Sequence, residues 1–266
     1  MKNIKFNLFP GGLCKCLTMS YDDGVIEDIR LAEIFRKNGI KGTFHINSLK
    51  IGRDGEDAAN NIKEVYRGHE VSCHMVTHPF PTDIPDTHIL AETVEDRRAL
   101  EDACGYVVRG MSYPFGNFDD RVIDIIKKCG IEYSRTVFST RNFDVPEDFL
   151  KWHPTMHHND KLDDFLTTFL DLKVDRRPHL FYVWGHSYEF ERAGNWDLIE
   201  KFCERAGGRD DIWYATNIEI VDYINAVRSL RVSVKGDKIY NPSAQTIWFS
   251  FEDKPVKIEP GETLCF

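Results

Sequence analysis

Two histidines four residues apart, His74 and His78, are the clearest chemical signal in the chain. At that spacing one helical turn brings both imidazoles to the same side, where they can share an ion. Imidazole suits zinc and its neighbours among the transition metals. Two adjacent carboxylates, Asp22 and Asp23, stand before Gly24 at the end of an apolar run that starts at Leu17. Neighbouring strand residues point to opposite faces, so the two acids can hold different roles only where the strand ends and the chain bends. Gly24 supplies that bend at little steric cost. Two histidines and one carboxylate leave coordination positions for water and substrate, the pattern of a catalytic metal site. His186 follows a further apolar stretch, Leu180–Gly185, and a rim position shared with a metal suits it to acid–base work. Tyr113-Pro-Phe-Gly116 is a turn that can aim a backbone N–H at the same place.

The elements needed to position these residues are legible around them. Strand signals at Cys14–Met19, Gly42–Ile46, Glu70–Cys73, Tyr106–Met111, Ile131–Val137, His179–Trp184 and Ile212–Ala215 alternate with helical stripes over 25–38, 56–66, 88–103, 118–129, 162–172 and 196–206. A last helix opens on Thr216-Asn217-Ile218-Glu219, the spacing of a capping box. Alternation of this kind predicts an α/β fold with a parallel sheet and crossover helices. Seven units predict a barrel or strongly wound sheet with its site at the C-terminal strand ends. Residues 138–158, with Pro146 and Pro154, lack periodicity and read as a long functional or lid-like loop. After Ser229 short alternating runs and turns take over. The expected division is therefore 1–228, a catalytic barrel, and 229–266, a small β appendage that packs on it, since under roughly 40 residues a free-standing domain is not expected. Trp248 there is read as covering the barrel's edge or end ahead of binding carbohydrate.

Composition narrows the function classes. A chain of 266 residues with 42% hydrophobic residues can bury a sizeable core. Its 34 basic and 43 acidic residues give a net charge of −9, which disfavours nucleic-acid and anionic-membrane partners. The N-terminus has no continuous apolar core of a signal peptide, and no run approaches a membrane span. Seven scattered cysteines, an odd number without paired metal spacing, fit a reduced compartment. The expectation is a cytoplasmic protein; its oligomeric state is open.

The ordered set Asp-Asp-Gly, His-x-x-x-His, Pro-aromatic-Gly and a late strand-end His resembles the polysaccharide deacetylases, carbohydrate esterase family four. Ser20-Tyr-Asp-Asp-Gly24 stands for the family's Thr-Phe-Asp-Asp-Gly, and Gly68-His-Glu-Val-Ser-Cys-His-Met-Val-Thr-His78 for its Gly-His-Glu-Ile-Gly-Asn-His-x-x-x-His. The resemblance covers roughly residues 14–227. It implies a distorted (β/α)7-type barrel, Asp22 as general base, and Asp23, His74 and His78 as ligands of one divalent metal, zinc ahead of cobalt or nickel. It also implies His186 as general acid and the backbone N–H of Phe115 as an oxyanion donor. The family's arginine that orients the base aligns with Ser112, and Arg109 is out of register, so Arg135 is the candidate replacement. The family's Asp-x-x-x-Trp motif, whose aspartate supports the acid, has no clear match, although Asp144 and Trp152 lie in the region.

Further residues are candidates for the pocket. His45 is expected in a substrate or supporting position, and His69 near the pocket wall. His153, His157 and His158 are read as a substrate-contacting loop or solvated histidines, ahead of a second metal site. Tyr113, Trp184, Tyr188 and Glu189 are expected to meet a sugar ring. The function this implies is a metal-dependent hydrolase that removes N-acetyl (or O-acetyl) groups from a carbohydrate. The alternatives are an allantoinase-like hydrolase of a small linear or cyclic amide, and a non-catalytic carbohydrate-binding protein on the same fold.

Overall fold

Side chains that alternate along parallel strands set the core of this protein. The computed structural model describes residues 3–53, 55 and 57–266. The chain runs β1 (Ile4–Lys5), β2 (Lys15–Asp22), α1 (Asp28–Lys37), β3 (Gly42–Ile46), α2 (Asp57–Asn60), α3 (Ile62–Val65), β4 (Glu70–Cys73), α4 (Asp86–Cys104), β5 (Gly110–Ser112), α5 (Asp120–Lys128) and β6 (Tyr133–Arg135). It continues through β7 (Met156–His157), α6 (Leu162–Asp171), β8 (His179–Gly185), α7 (Tyr188–Ala193), α8 (Trp196–Ala206), β9 (Ile212–Tyr214) and α9 (Asn217–Ser229) to the short strands β10 (Arg231–Val232), β11 (Lys238–Tyr240), β12 (Ile247–Phe251), β13 (Lys254–Ile258) and β14 (Thr263–Cys265).

An eight-stranded parallel sheet runs β6-β5-β4-β3-β2-β8-β7, with β9 also on β2. It curls into a distorted (β/α)7 barrel. Closure comes from the segment expected to be a lid-like loop. Trp152 N–H donates to Ser134 O (3.1 Å), Thr136 N–H donates to Trp152 O (3.0 Å), and Met156–His157 pairs with β8. Trp152 is buried and packs on Tyr133, Phe149 and Tyr182, so 138–158 contains barrel wall. Its prolines and short strand left no periodic signal.

All eight residues of β2 are buried. Leu17, Met19 and Tyr21 face the helices with Leu31, Ala32 and Phe35 of α1, while Cys16 joins Tyr133, Trp152 and Tyr182 in a second cluster. By the two-residue period, Thr18, Ser20 and Asp22 share the inner face with Cys16. The same parity turns His45, Ser112, Arg135 and Trp184 inward. Gly110 is needed on that face, because a Cβ there would lie 2.1 Å from the Tyr133 ring. Buried polar pairs fill the rest: Thr18 bonds Asn217, which donates to the Tyr182 hydroxyl.

Element bounds differ modestly from expectation. The first strand runs on to Asp22, and the fourth begins at Gly110. The helix expected over 56–66 is α2 and α3; residue 56 lies outside the described residues. The capping box of α9 is present. After 229, one antiparallel sheet is β10-β11-β14 and another is β1-β12-β13. Pairing of Ile4 with Phe251 ties the N-terminal residues to the appendage, an association that a boundary at 228/229 does not include. Ile239, Ile247, Phe249 and Ile258 pack with Ala226 of α9. Among the described residues no helix is long and apolar enough to cross a membrane.

Candidate metal centre and active site

The C-terminal ends of β2, β4, β5 and β8 open onto a cavity of about 640 Å³ lined by Asp22, Asp23, His74, His78, Phe115 and His186, among others. Asp22 is the last residue of β2 and points into the barrel. Asp23 turns away because the bend begins at Asp23 itself, with φ +84°, and continues at Gly24 with φ +61°. A Cβ on Gly24 would lie 2.7 Å from Ile46, so the turn admits little else. Asp23 is held at both ends: its N–H donates to His45 O (2.9 Å), and its carbonyl accepts from Lys50 Nζ (2.6 Å).

His74 and His78 do not sit on a helical turn. They lie in a loop whose Met75 and His78 have φ of +59° and +57°. Their rings are 4.6 Å apart. Ligand-type atoms of Asp23, His74 and His78 all lie within 4.8 Å of one another. Of the seven described non-glycine residues with positive φ, four belong to this site: Asp23, Met75, His78 and Phe115. Such backbone strain, about 1–3 kcal/mol per residue, persists where the surroundings over-determine it. Here Asn47 donates to the carbonyls of His74 (2.6 Å) and Met75 (2.9 Å), and buried Asp96 accepts from the N–H groups of His74 (2.8 Å) and Ser48 (2.7 Å).

The donors fit a divalent cation. His74 Nδ1 lies 2.9 Å from the Ser112 carbonyl and 2.8 Å from Ser112 Oγ, which fixes its proton there and turns Nε2 toward both acids, 3.8 Å from Asp22 Oδ2 and 3.8 Å from Asp23 Oδ1. Burial lowers the His74 pKa, and burial together with His74 pushes His78 down to about 4, so both rings offer lone pairs at neutral pH.

Asp22 has different partners. The buried Arg135 guanidinium pairs with its Oδ2, and Ser112 Oγ donates to Oδ1 (3.1 Å). Arg135 in turn lies over Trp184, 4.3 Å from the ring centroid, and donates to Thr136 O (3.1 Å). Burial pushes the Asp22 carboxyl up, but Arg135, then His74, His45 and His186, outweigh it and hold it well below the usual carboxylate range. His186 faces the cavity beside Tyr188, whose ring stacks on it at 5.0 Å. Burial lowers the His186 pKa, but the Glu189 hydrogen bond, then Asp22 and Asp23, raise it above the ordinary value. Phe115 stacks on Phe80 at 3.9 Å, and both rings are about half exposed at the cavity mouth.

Several expected pocket residues lie elsewhere. His45 is fully buried inside the barrel, 2.9 Å from Ser20 Oγ, and burial pushes it down to about 3; it cannot touch a substrate. His69 is on the helix side, accepting from Gly42 N–H (3.1 Å) and reaching Ala32 O (3.2 Å). Tyr113 lines the cavity with its ring, but its hydroxyl donates to Leu150 O (2.8 Å). Glu189 does not face a sugar; its carboxylate meets His157, His158 and His186. His153 is separate from that group, 2.6 Å from Thr136 Oγ1. Asn47, Lys50 and Asp96 were not legible as site residues. Asn47 alone carried a signal, its place one residue beyond a strand that ends at the rim.

Residues 11–134, which include Asp22, Asp23, His74 and His78, match the family model described as polysaccharide deacetylase. That match covers a little under half of the chain, and over it the sequence is similar to the polysaccharide deacetylases. It is 29% identical over 141 residues to chitin deacetylase 1 of Cryptococcus neoformans, covering 51% of this chain and 28% of that protein. It is 30% identical over 113 residues to a chitin deacetylase of Arthroderma benhamiae, covering 40% and 29%. The chain thus spans under a third of the length of either curated relative. Its fold is similar to that of a Mycobacterium smegmatis protein assigned to the polysaccharide deacetylases (TM-score 0.62, 15% identity, 83% of this chain and 93% of that one). A family-four pseudoenzyme from Bacillus anthracis shares the fold at TM-score 0.50 and 18% identity, over 78% and 67%.

Proposed function

We propose that this protein is a metal-dependent hydrolase that removes acetyl groups from an acetylated carbohydrate, N-acetyl groups first. One observation carries the proposal: the cavity holds a metal-type trio, Asp23, His74 and His78, next to a carboxylate, Asp22, that Arg135 and Ser112 keep apart for another task. Asp23, His74 and His78 would hold a divalent cation, zinc ahead of cobalt or nickel, which when bound would acidify water toward a pKa near ~7 and polarise an amide carbonyl. Asp22, ionised at neutral pH, accepts the proton as water attacks. Its pairing with Arg135 fixes the orientation of the accepting oxygen. His186, whose protonated form the Glu189 hydrogen bond favours, stands at the cavity wall to protonate the departing amine. The backbone N–H of Phe115, in the turn at the cavity wall, would donate to the oxyanion.

The small-amide reading uses the same groups and differs in substrate. The exposed Phe80–Phe115 pair at the mouth favours a sugar ring, whose apolar face stacks on aromatic surfaces. A panel of N- and O-acetylated saccharides beside linear and cyclic amides separates them. Acetate release from saccharides is expected. A ring-opened acid as sole product would replace this proposal with the allantoinase-like one, and saccharide binding without turnover under any metal with the non-catalytic one.

A further inference from the structure

Beside the cavity, behind His186, one carboxylate gathers four side chains. Glu189 Oε1 accepts from His186 Nδ1 (2.9 Å), three residues back at the start of α7. Its Oε2 lies 3.2 Å from His157 Nε2, 2.9 Å from His158 Nε2 and 3.1 Å from Asn159 Nδ2. The last three residues run from the end of β7 into the turn after it, so two neighbouring strand ends meet at this carboxylate. The packing is specific. His158 is fully buried, stacked against Phe190 at 4.2 Å and Tyr21 at 5.7 Å. A Cβ at Gly185 would fall 2.0 Å from its Nδ1.

Ligand-type atoms of His157, His158 and Glu189 also lie within 4.8 Å of one another, as in a metal site. The tautomer of His157 argues against an ion. Asn159 N–H donates to His157 Nδ1 (3.2 Å), so a neutral His157 carries its proton on Nε2, the nitrogen that faces Glu189. That nitrogen then carries a proton facing the carboxylate 3.2 Å away and has no lone pair for a cation.

We infer that Glu189 is the positioning residue of His186: it keeps the proton of that ring on Nδ1 and turns Nε2 toward the cavity, while His157, His158 and Asn159 hold Glu189 in place. The inference rests on the proposed hydrolase in taking His186 as the acid. It supplies from α7 the carboxylate that Asp144 does not bring. Burial pushes Glu189 up, but the close imidazoles of His157, His158 and His186 outweigh it and keep it ionised. The other groups facing His186 are Asp22 and Asp23 from the end of β2, His78 from the ligand loop, and His157 and His158 from β7, with Tyr188 stacked on the ring and Arg192 over Tyr188. Of the groups that raise the His186 pKa, the Glu189 hydrogen bond comes first, ahead of Asp22 and Asp23, whose pull a cation at Asp23 would further offset.

The test follows the His186 ring nitrogens by NMR in full-length, zinc-loaded protein labelled with ¹⁵N-histidine, assigned by comparison with His186→Asn. The expected result is a persistent Nδ1 proton across the titration in the wild type. In Glu189→Gln the midpoint should fall by about one to two pH units, the size of one charge-assisted hydrogen bond. The alkaline limb of kcat/KM should move to lower pH by the same amount, with KM little changed. His157→Asn, for use if Glu189→Gln does not fold, should shift the midpoint the same way by less. An unmoved midpoint in a folded variant overturns the inference. So does a second equivalent of bound zinc that Glu189→Gln abolishes. Because the titration needs no substrate, a protein that releases no acetate yet shows the shift would refute the hydrolase and leave the positioning role standing.

Discussion

Replacing Arg135 by methionine tests the electrostatic core of the site. Arg135 and Asp22 are both buried and paired, and the guanidinium also rests on Trp184. Removing one partner of such a pair leaves a buried charge and costs about 3–5 kcal/mol. The sign of the pH dependence follows. The folded-state pKa of Asp22 is depressed, so the pair's stabilisation is present above the unfolded carboxylate value near ~4 and is lost as pH falls through the folded value. In Arg135→Met the largest lowering charge is gone and burial, opposed only by His74, His45 and His186, raises the Asp22 pKa relative to the wild type, so the variant's deficit is largest at neutral pH and shrinks as Asp22 takes up a proton. Urea unfolding at about pH 7 and about pH 4.5 should show a deficit of about 3–5 kcal/mol that falls by at least about half at the lower pH. The double variant Asp22→Asn/Arg135→Met should recover most of the loss, because both charges are then gone. A deficit under about 1 kcal/mol, or one that is the same at both pH values, would refute the pairing as the source of Asp22's placement.

Asp22→Asn should retain bound metal and lower kcat by about 10²–10⁴-fold; full activity in a metal-replete variant would remove Asp22 from the chemistry. His74→Ala should lose the metal on dialysis, measured by elemental analysis, and unchanged content would break the ligand set. Phe80→Ala should raise KM for a saccharide by about 3–10-fold with kcat nearly constant, since it removes one face of the aromatic pair at the mouth; an unchanged KM would put the sugar elsewhere.

Much of this site is written locally, and the part that is not depends on strand parity and closure. Asp22, Asp23, His74, His78 and His186 stand at strand ends that periodicity alone locates, so their convergence follows once the sheet is parallel. Arg135 faces Asp22 because it is two residues beyond Tyr133 on the same inner face, a relation visible in the sequence once the strand's bounds are known. The same parity buries His45, which residue type alone made look like a pocket residue. Residues 138–158 misled because a two-residue strand and a single bridge at Trp152 carry no period, yet they close the barrel and deliver His157 and His158 to Glu189. Asp96 and Lys50 act through backbone groups of the His74–His78 loop and the Asp23 turn. Contacts of that kind leave no spacing to read.

The central claim is that Asp23, His74 and His78 hold a cation that works together with Asp22 on an acetylated sugar. Acetate released from N-acetylated oligosaccharide by the purified protein, measured before chelation, after it, and after zinc is restored, tests that claim most directly. The account predicts release that stops with the chelator, returns with one equivalent of zinc, and stays low in Asp22→Asn carrying the same zinc. Release that survives complete removal of metal, or equals the wild type in zinc-loaded Asp22→Asn, would contradict it.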